Sequence, residues 1–415
     1  MGALLLSSNA LLTQHFHVVA HNCTLFLGLV LGRYAWLPLY LHKRCLVTGQ
    51  CQLPICQELP HDYHKKKPEE CGSSKFLDGQ KPLFTVDVKL DSTVQSDDLY
   101  VQSFLLKGAE EVVYVPDGRA NRGMSQLCIH NLRRGDQAAI HRHLHVILNL
   151  LFFVMTNATD ADMRKDAFEA LAYVVGLTAA KSRQDLETYV KYVFVNPQPK
   201  SGQAARPAFP ELAHHMLITI QSYEESPKEH LKECHRVCKT QAWFFFEVIL
   251  KSLAQELSGL KRGSTPRVNQ KLPGNFVENT RLLCVELVNA FKQMSYNSIH
   301  KARATEFNVS LGHFLRDLLS LVDRGAVFSI IRDVFKALHQ DAEERAFELQ
   351  RTQLTGFCLD ILSVLSTHEH FIALNLPLGN EHVQIRATGL TQEFCSAHYL
   401  VGLLLSEINM VLHSK

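Results

Sequence analysis

The spacing of apolar residues changes character near residue 138. Beyond it, AAIHRHLHVILNLLFFVMTNAT (138–159), DMRKDAFEALAYVVGLTAA (162–180), QDLETYVKYVF (184–194), PELAHHMLITIQSY (210–223), AWFFFEVILKSLAQEL (242–257), FVENTRLLCVELVNAFKQM (276–294), VSLGHFLRDLLSLVDRG (309–325), AVFSIIRDVFKAL (326–338) and EERAFELQRTQLTGFCLDILSVL (343–365) place apolar residues at intervals of three and four. That period lines up one face of an α-helix, so each stretch predicts a helix with a buried side. Short polar joints separate them. Asn308 is read as the N-cap of the run from Val309, and Gly325 as the residue just past its last turn. A joint that tight folds neighbouring helices into hairpins. The fold class expected is mainly α, an irregular α-solenoid of armadillo-like helical hairpins. No self-similar repeat of fixed period supports this, so the expectation rests on architecture.

The first 60 residues are different. HFHVVAHNC (15–23) and RYAWLPLYLHKRCLVTGQCQLPICQELP (33–60) hold short apolar runs broken by Pro38, Gly49, Pro54 and Pro60, which suits strands and turns. Residues 61–81 are polar and rich in turn formers, as a linker or exposed loop would be. FTVDVKLDSTV (84–94) alternates apolar and polar residues and predicts one more strand.

Composition narrows the function classes. The 415 residues are 46% hydrophobic, ample for a large core, and 43 basic against 41 acidic residues leave a net charge of +2. The basic footprint of a dedicated nucleic-acid binder is missing, and no nucleic-acid partner is expected. The basic clusters Arg133-Arg134, Lys65-Lys66-Lys67 and Lys261-Arg262 are read as solvated. Eleven cysteines are scattered singly, as reduced thiols of a cytoplasmic protein would be. The N-terminus is not read as a signal sequence, because it lacks a basic start and His15, His17 and His21 interrupt its apolar run. No transmembrane segment is expected, because the sequence has no uninterrupted apolar stretch of about 18 residues.

Several groups invite a reading as chemistry. In THEHFIALNLPL (367–378), His368 and His370 bracket Glu369. Two imidazoles two residues apart lie about 200° apart on a helix and cannot chelate there, whereas on a strand they share a face. A helix exit is the reading adopted, with Phe371, Ile372 and Leu374 anchored by burial and Pro377 blocking the helix from resuming. His141, His143 and His145 are placed on the wet side of a continuous helix. Cys234 and Cys238 lie four apart on one helical face and are read as packed thiols. Cys45, Cys51, Cys56 and Cys71, with His42, His61 and His64, have intervals that match no zinc finger or ribbon. The pairs Glu110-Glu111 and Glu343-Glu344 are read as solvated surface. Trp243-Phe244-Phe245-Phe246 is read as core, with Lys251, Ser252, Gln255 and Glu256 on the polar side of its helix. No nucleophile elbow, phosphate loop or dinucleotide fingerprint is present. No catalytic residue, cofactor or metal ligand is expected, and the chain reads as a scaffold.

Four blocks in order carry a family resemblance: AWFFFEVILKSLAQEL (242–257), LVDRGAVFSII (321–331), THEHFIALNLP (367–377) and EFCSAHYLVGLLLSEI (393–408). They resemble the dedicator of cytokinesis (DOCK) exchange factors, of the zizimin branch. RYAWLPLYLHKRCLVTGQCQLPICQELP resembles the closing strands of that family's C2-like lipid-binding region, and residues 78–104 the strand and linker that follow. The resemblance implies a C2-like remnant over 1–60 (1–14 unassigned), a linker with one or two strands over 61–105, and an armadillo-like helical segment over 106–415. It also implies that the parent is a guanine nucleotide exchange factor for Rho-family small GTPases of the Rac and cell-division-control types. The parent would be cytoplasmic with peripheral recruitment to phosphoinositide membranes. The catalytic exchange region is expected to lie outside this chain, read as a fragment, so the chain itself would be a non-enzymatic scaffold with protein partners on its helical surface. The alternative is an autonomous helical binding scaffold without an exchange function.

Overall fold

The structure is a computed structural model that describes residues 3–7, 17–21, 24–29, 33–38, 40–41, 45–46, 49–58, 76–91, 96–107, 122–198, 206–259, 272, 275–295, 301–339, 348–376 and 398–413. It contains two compact units, Met1–Lys107 with Arg134–Leu144, and Gly108–Arg133 with His145–Lys415.

The first unit holds the strands. β1 (Ala3–Ser7), β2 (His17–His21), β3 (Thr24–Leu29), β4 (Arg33–Pro38), β5 (Tyr40–Leu41), β6 (Cys45–Leu46), β7 (Gly49–Pro54) and β8 (Pro82–Asp91) pair antiparallel throughout. They form sheets in the orders β1-β8-β7, β2-β3-β4 and β5-β6. β1 lies within residues 1–14, which the sequence left unassigned. β8 occupies the alternating stretch: Phe84 and Val86 are buried while Leu83 is 46% exposed, as the two-residue period of a strand requires. Ala35 and Leu37 of β4 are buried in the same way. Asp98 then opens α1 (Leu99–Lys107): one carboxylate oxygen accepts the Val101 N–H at 2.8 Å and the other the Asp136 N–H at 3.0 Å. Asp136 in turn caps α3 (Gln137–Arg142) through the Ala139 N–H.

The second unit is helical: α2 (Arg122–Asn131), α4 (Leu144–Asn157), α5 (Ala161–Lys181), α6 (Arg183–Thr188), α7 (Ala208–Glu225), α8 (Glu229–Thr240), α9 (Ala242–Gly259), α10 (Phe276–Ser295), α11 (Lys301–Leu321), α12 (Arg324–His339), α13 (Glu348–Ser366), α14 (Phe371–Asn375) and α15 (Tyr399–His413). Their neighbours follow a simple rule. α7, α9, α11, α13 and α15 pack successively along one row, and α7, α10 and α12 along another, with α5 against α2 and α8. Each helix is buried chiefly by helices near it in sequence, the organisation of a stacked-hairpin array. The chain is thus mainly α with an antiparallel β portion near its N-terminus, as its periodicities predict.

Close approach sets one requirement. A Cβ placed on Gly176 of α5 would lie 2.6 Å from Cγ2 of Val237 on α8, inside van der Waals contact with a stiff branched side chain. Gly176→Ala should therefore destabilise by about 1–3 kcal/mol in urea unfolding, with part of the loss restored by adding Val237→Ala.

Several local expectations are corrected. Asn308 is no N-cap: it lies fully buried inside α11, where its Nδ2 donates to the Phe357 carbonyl of α13 at 3.0 Å. Gly325 lies in the first turn of α12, and Asp323 caps that helix through the Gly325 N–H at 3.0 Å. The helix expected over 138–159 breaks at His143, which is buried rather than wet. Ser252 is also fully buried. Its hydroxyl donates to Asn196 Oδ1 and accepts the Phe209 N–H, so a polar residue on the inner face of α9 ties down the segment entering α7.

Candidate functional site

The aromatic run on α9 is core. Trp243, Phe244, Phe245 and Phe246 are all buried, and Phe246 stacks on Phe314 of α11 with centroids 4.3 Å apart. Phe244 faces Tyr189, whose hydroxyl donates to Asn149 at 2.8 Å. Tyr189 begins a single π-helical turn closed by the Phe194 N–H donating to the Tyr189 carbonyl. The wider turn presents the Val190 and Lys191 carbonyls to Lys251 Nζ, which donates to both.

A cleft of about 290 Å³ lies beside Trp243, lined by Arg236, Lys239, Arg303, Glu306 and Ser310 among others. Most of its charge is already matched. Arg236 pairs with Glu233, Lys239 lies 3.7 Å from Glu224, and Arg183, stacked over the Trp243 ring, pairs with Glu187 and Glu306.

The THEH segment is a turn between helices. α13 ends at Ser366 and α14 begins at Phe371. The His370 N–H donates to His368 Nδ1 at 3.0 Å, which leaves the proton on Nε2, 2.8 Å from Ser320 Oγ of α11. Burial holds the His368 imidazole below its ordinary pKa, helped by the neighbouring His370 and Arg316. His368 therefore fixes the turn, while the His370 side chain is 69% exposed. Two parts of the helix-exit expectation change. A short helix resumes at Phe371, and Ile372 is 78% exposed instead of anchored. The anchor is Asn375, whose Oδ1 accepts the Leu400 N–H at the start of α15. Pro377 lies outside the described residues.

The cysteine groups divide similarly. Cys234 and Cys238 are buried together on α8, and the Cys234 thiol with burial pushes the Cys238 pKa up. Cys56 is buried and its thiol donates to the Tyr34 carbonyl at 3.2 Å. The side chains of Cys45, Cys71, His42, His61 and His64, the two glutamate pairs, Lys65–Lys67 and Lys261-Arg262 lie outside the described residues.

One constellation escaped the sequence reading. His339 at the end of α12, Cys358 on α13 and Glu407 on α15 bring their ligand atoms within 4.8 Å of one another. Nε2 of His339 is 2.9 Å from a Glu407 oxygen and 3.6 Å from Cys358 Sγ. Burial, then the Glu407 carboxylate, pushes the Cys358 thiol well above its ordinary pKa. Thiol and carboxylate address the same ring nitrogen. A nucleophilic triad needs its acid on the imidazole nitrogen opposite the thiol, so this geometry suits ligation or structural pairing.

The profile described as "DOCK6-11, TPR domain" matches residues 129–363, more than half of the chain. Dedicator of cytokinesis protein 9 of Homo sapiens is 27% identical over 403 residues, covering 91% of this chain and 18% of the relative. Dedicator of cytokinesis protein 11 of Danio rerio is 25% identical, covering 90% of the chain and 18% of the relative. Dedicator of cytokinesis protein 8 of Homo sapiens is 24% identical over 519 residues, covering 92% and 24%. The chain thus spans about a fifth of the length of these curated relatives. The profile names a tetratricopeptide array where the sequence suggested armadillo-like hairpins; both names denote stacked helical repeats. With its helical rows matched across that stretch, the chain belongs to the dedicator of cytokinesis family, in the DOCK6–11 group to which its zizimin-like blocks pointed.

Proposed function

We propose that this chain is the scaffold segment of a guanine nucleotide exchange factor for Rho-family GTPases of the Rac and cell-division-control types. The observation that carries the reading is the stacked helical array over the stretch matched to the DOCK6–11 helical domain. An array of this kind holds a fixed length and offers long surfaces without one global core. Its work is to space a membrane-docking region from the region that releases GDP, and to present the helical surface to protein partners. The strands of residues 1–60 then belong to the end of a C2-like region, 61–105 to a linker whose strand β8 pairs between β1 and β7, and 106–415 to the array. The parent works in the cytoplasm and docks to phosphoinositide membranes, and the exchange chemistry resides elsewhere in it.

A fluorescent-GDP release assay on Rac-type and cell-division-control-type GTPases tests this. Micromolar amounts of the chain alone should leave the release rate at its intrinsic value. Clear acceleration would assign exchange activity to these residues and overturn the scaffold reading.

A further inference from the structure

We propose that His339, Cys358 and Glu407 form a zinc site that fastens α15 to α12 and α13. The ligand types are one imidazole, one thiol and one carboxylate, contributed by three separate helices. This mixed nitrogen, sulfur and oxygen set suits a borderline-soft dication and disfavours magnesium or calcium, which take oxygen ligands. Tetrahedral zinc, with bonds of about 2.0–2.3 Å to such atoms, separates neighbouring ligand atoms by roughly 3.3–3.8 Å. The observed separations of 2.9 and 3.6 Å fit after a shift of a few tenths of an ångström.

A second observation points to a ligand. Glu407 is 2% exposed, and its Oε2 is buried without a hydrogen-bond partner. Elsewhere α15 is open: Leu405 is 61% and Leu412 68% exposed. A helix with so much apolar surface in water thus buries a glutamate, an arrangement that costs free energy unless a cation compensates it. His339 supplies one hydrogen bond to the carboxylate, and among the described residues the only other group set against it is the Cys358 thiol, a weak donor. A dication bound by the carboxylate, Nε2 and Sγ satisfies the charge. Binding releases the thiol proton to solvent and moves the ring proton from Nε2 to Nδ1, leaving a thiolate, a neutral imidazole and a carboxylate around the metal. The His339 side chain is 26% exposed, which leaves a path for water as the fourth ligand.

The simpler reading is a buried histidine–glutamate hydrogen bond with a cysteine packed beside it, and metal retention separates the two. The full chain, loaded with zinc chloride and dialysed against metal-free buffer, should retain one stoichiometric zinc by elemental analysis. Cys358→Ser and Glu407→Gln, both near-isosteric, should lose it, whereas His370→Ala should not. Cobalt substitution of the unaltered chain should give a thiolate-to-cobalt charge-transfer band, and zinc should raise the thermal midpoint of the unaltered chain but not of Cys358→Ser. Equal zinc in all variants would reveal adventitious binding to other histidines and overturn the proposal. So would absence of the cobalt band, a result that needs no variant to fold. Neither outcome bears on the nucleotide-release assay, so the two readings fail separately.

Discussion

Phe246→Ala lowers the unfolding free energy in urea by about 3–5 kcal/mol, the cost of removing a buried aromatic side chain. Phe246 is 2% exposed and links successive helices of one row through its stacked contact with Phe314, with Phe307 of α11 at 6.4 Å. Little else can fill the void, because Phe244 and Phe245 on the same turn are themselves fully buried against other helices. In a stacked array the damage should spread along the row before it crosses to the other. Amide hydrogen exchange should therefore accelerate first in α9 and α11, and later in α12. Uniform acceleration would show a single cooperative core, and a loss under about 1 kcal/mol would show that α9 and α11 are not held by this contact.

Acidification from pH 7 to pH 4 costs the fold about 3 kcal/mol through His215 alone. Burial lowers the pKa of this imidazole from 6.5 to about 4, assisted by His214, Arg164 and Lys165. Glu211, 3.8 Å from Nε2, is too distant to reverse that balance. The ring lies against Phe168 with centroids 5.6 Å apart, and its Nε2 is buried without a partner. The unfolded histidine takes a proton near pH 6.5, while the folded one stays neutral down to about pH 4. The contribution is thus complete above pH 6.5 and is lost as pH falls through that window. Urea unfolding across this range should show His215→Gln losing less stability than the unaltered chain by about that amount. Equal pH slopes for the two proteins would contradict the assignment.

The helices were legible because each buries a continuous stripe, and the run at Trp243 to Phe246 is a strong signal of that kind. Strand β8 was legible through the alternation of Phe84 and Val86 with polar neighbours. Polar residues facing inward were not. Asn308 and Ser252 look like a cap and a wet face in one dimension, yet each answers a backbone group on a distant segment, Phe357 and Phe209. His368 was half legible: its spacing from His370 argued against a chelating pair on a helix, but its bond to Ser320 depends on α11 lying alongside. The His339, Cys358 and Glu407 constellation left no local signal, since its members lie on three helices whose packing alone brings them together.

The scaffold reading is tested most directly by fluorescent-GDP release from a Rac-type GTPase, measured with the chain alone and with residues 129–363 replacing the matched segment of a full-length relative. The account predicts intrinsic release with the chain alone and a chimera that keeps most of its parent's rate. Acceleration by the isolated chain, or a stably folded chimera without exchange activity, would contradict it.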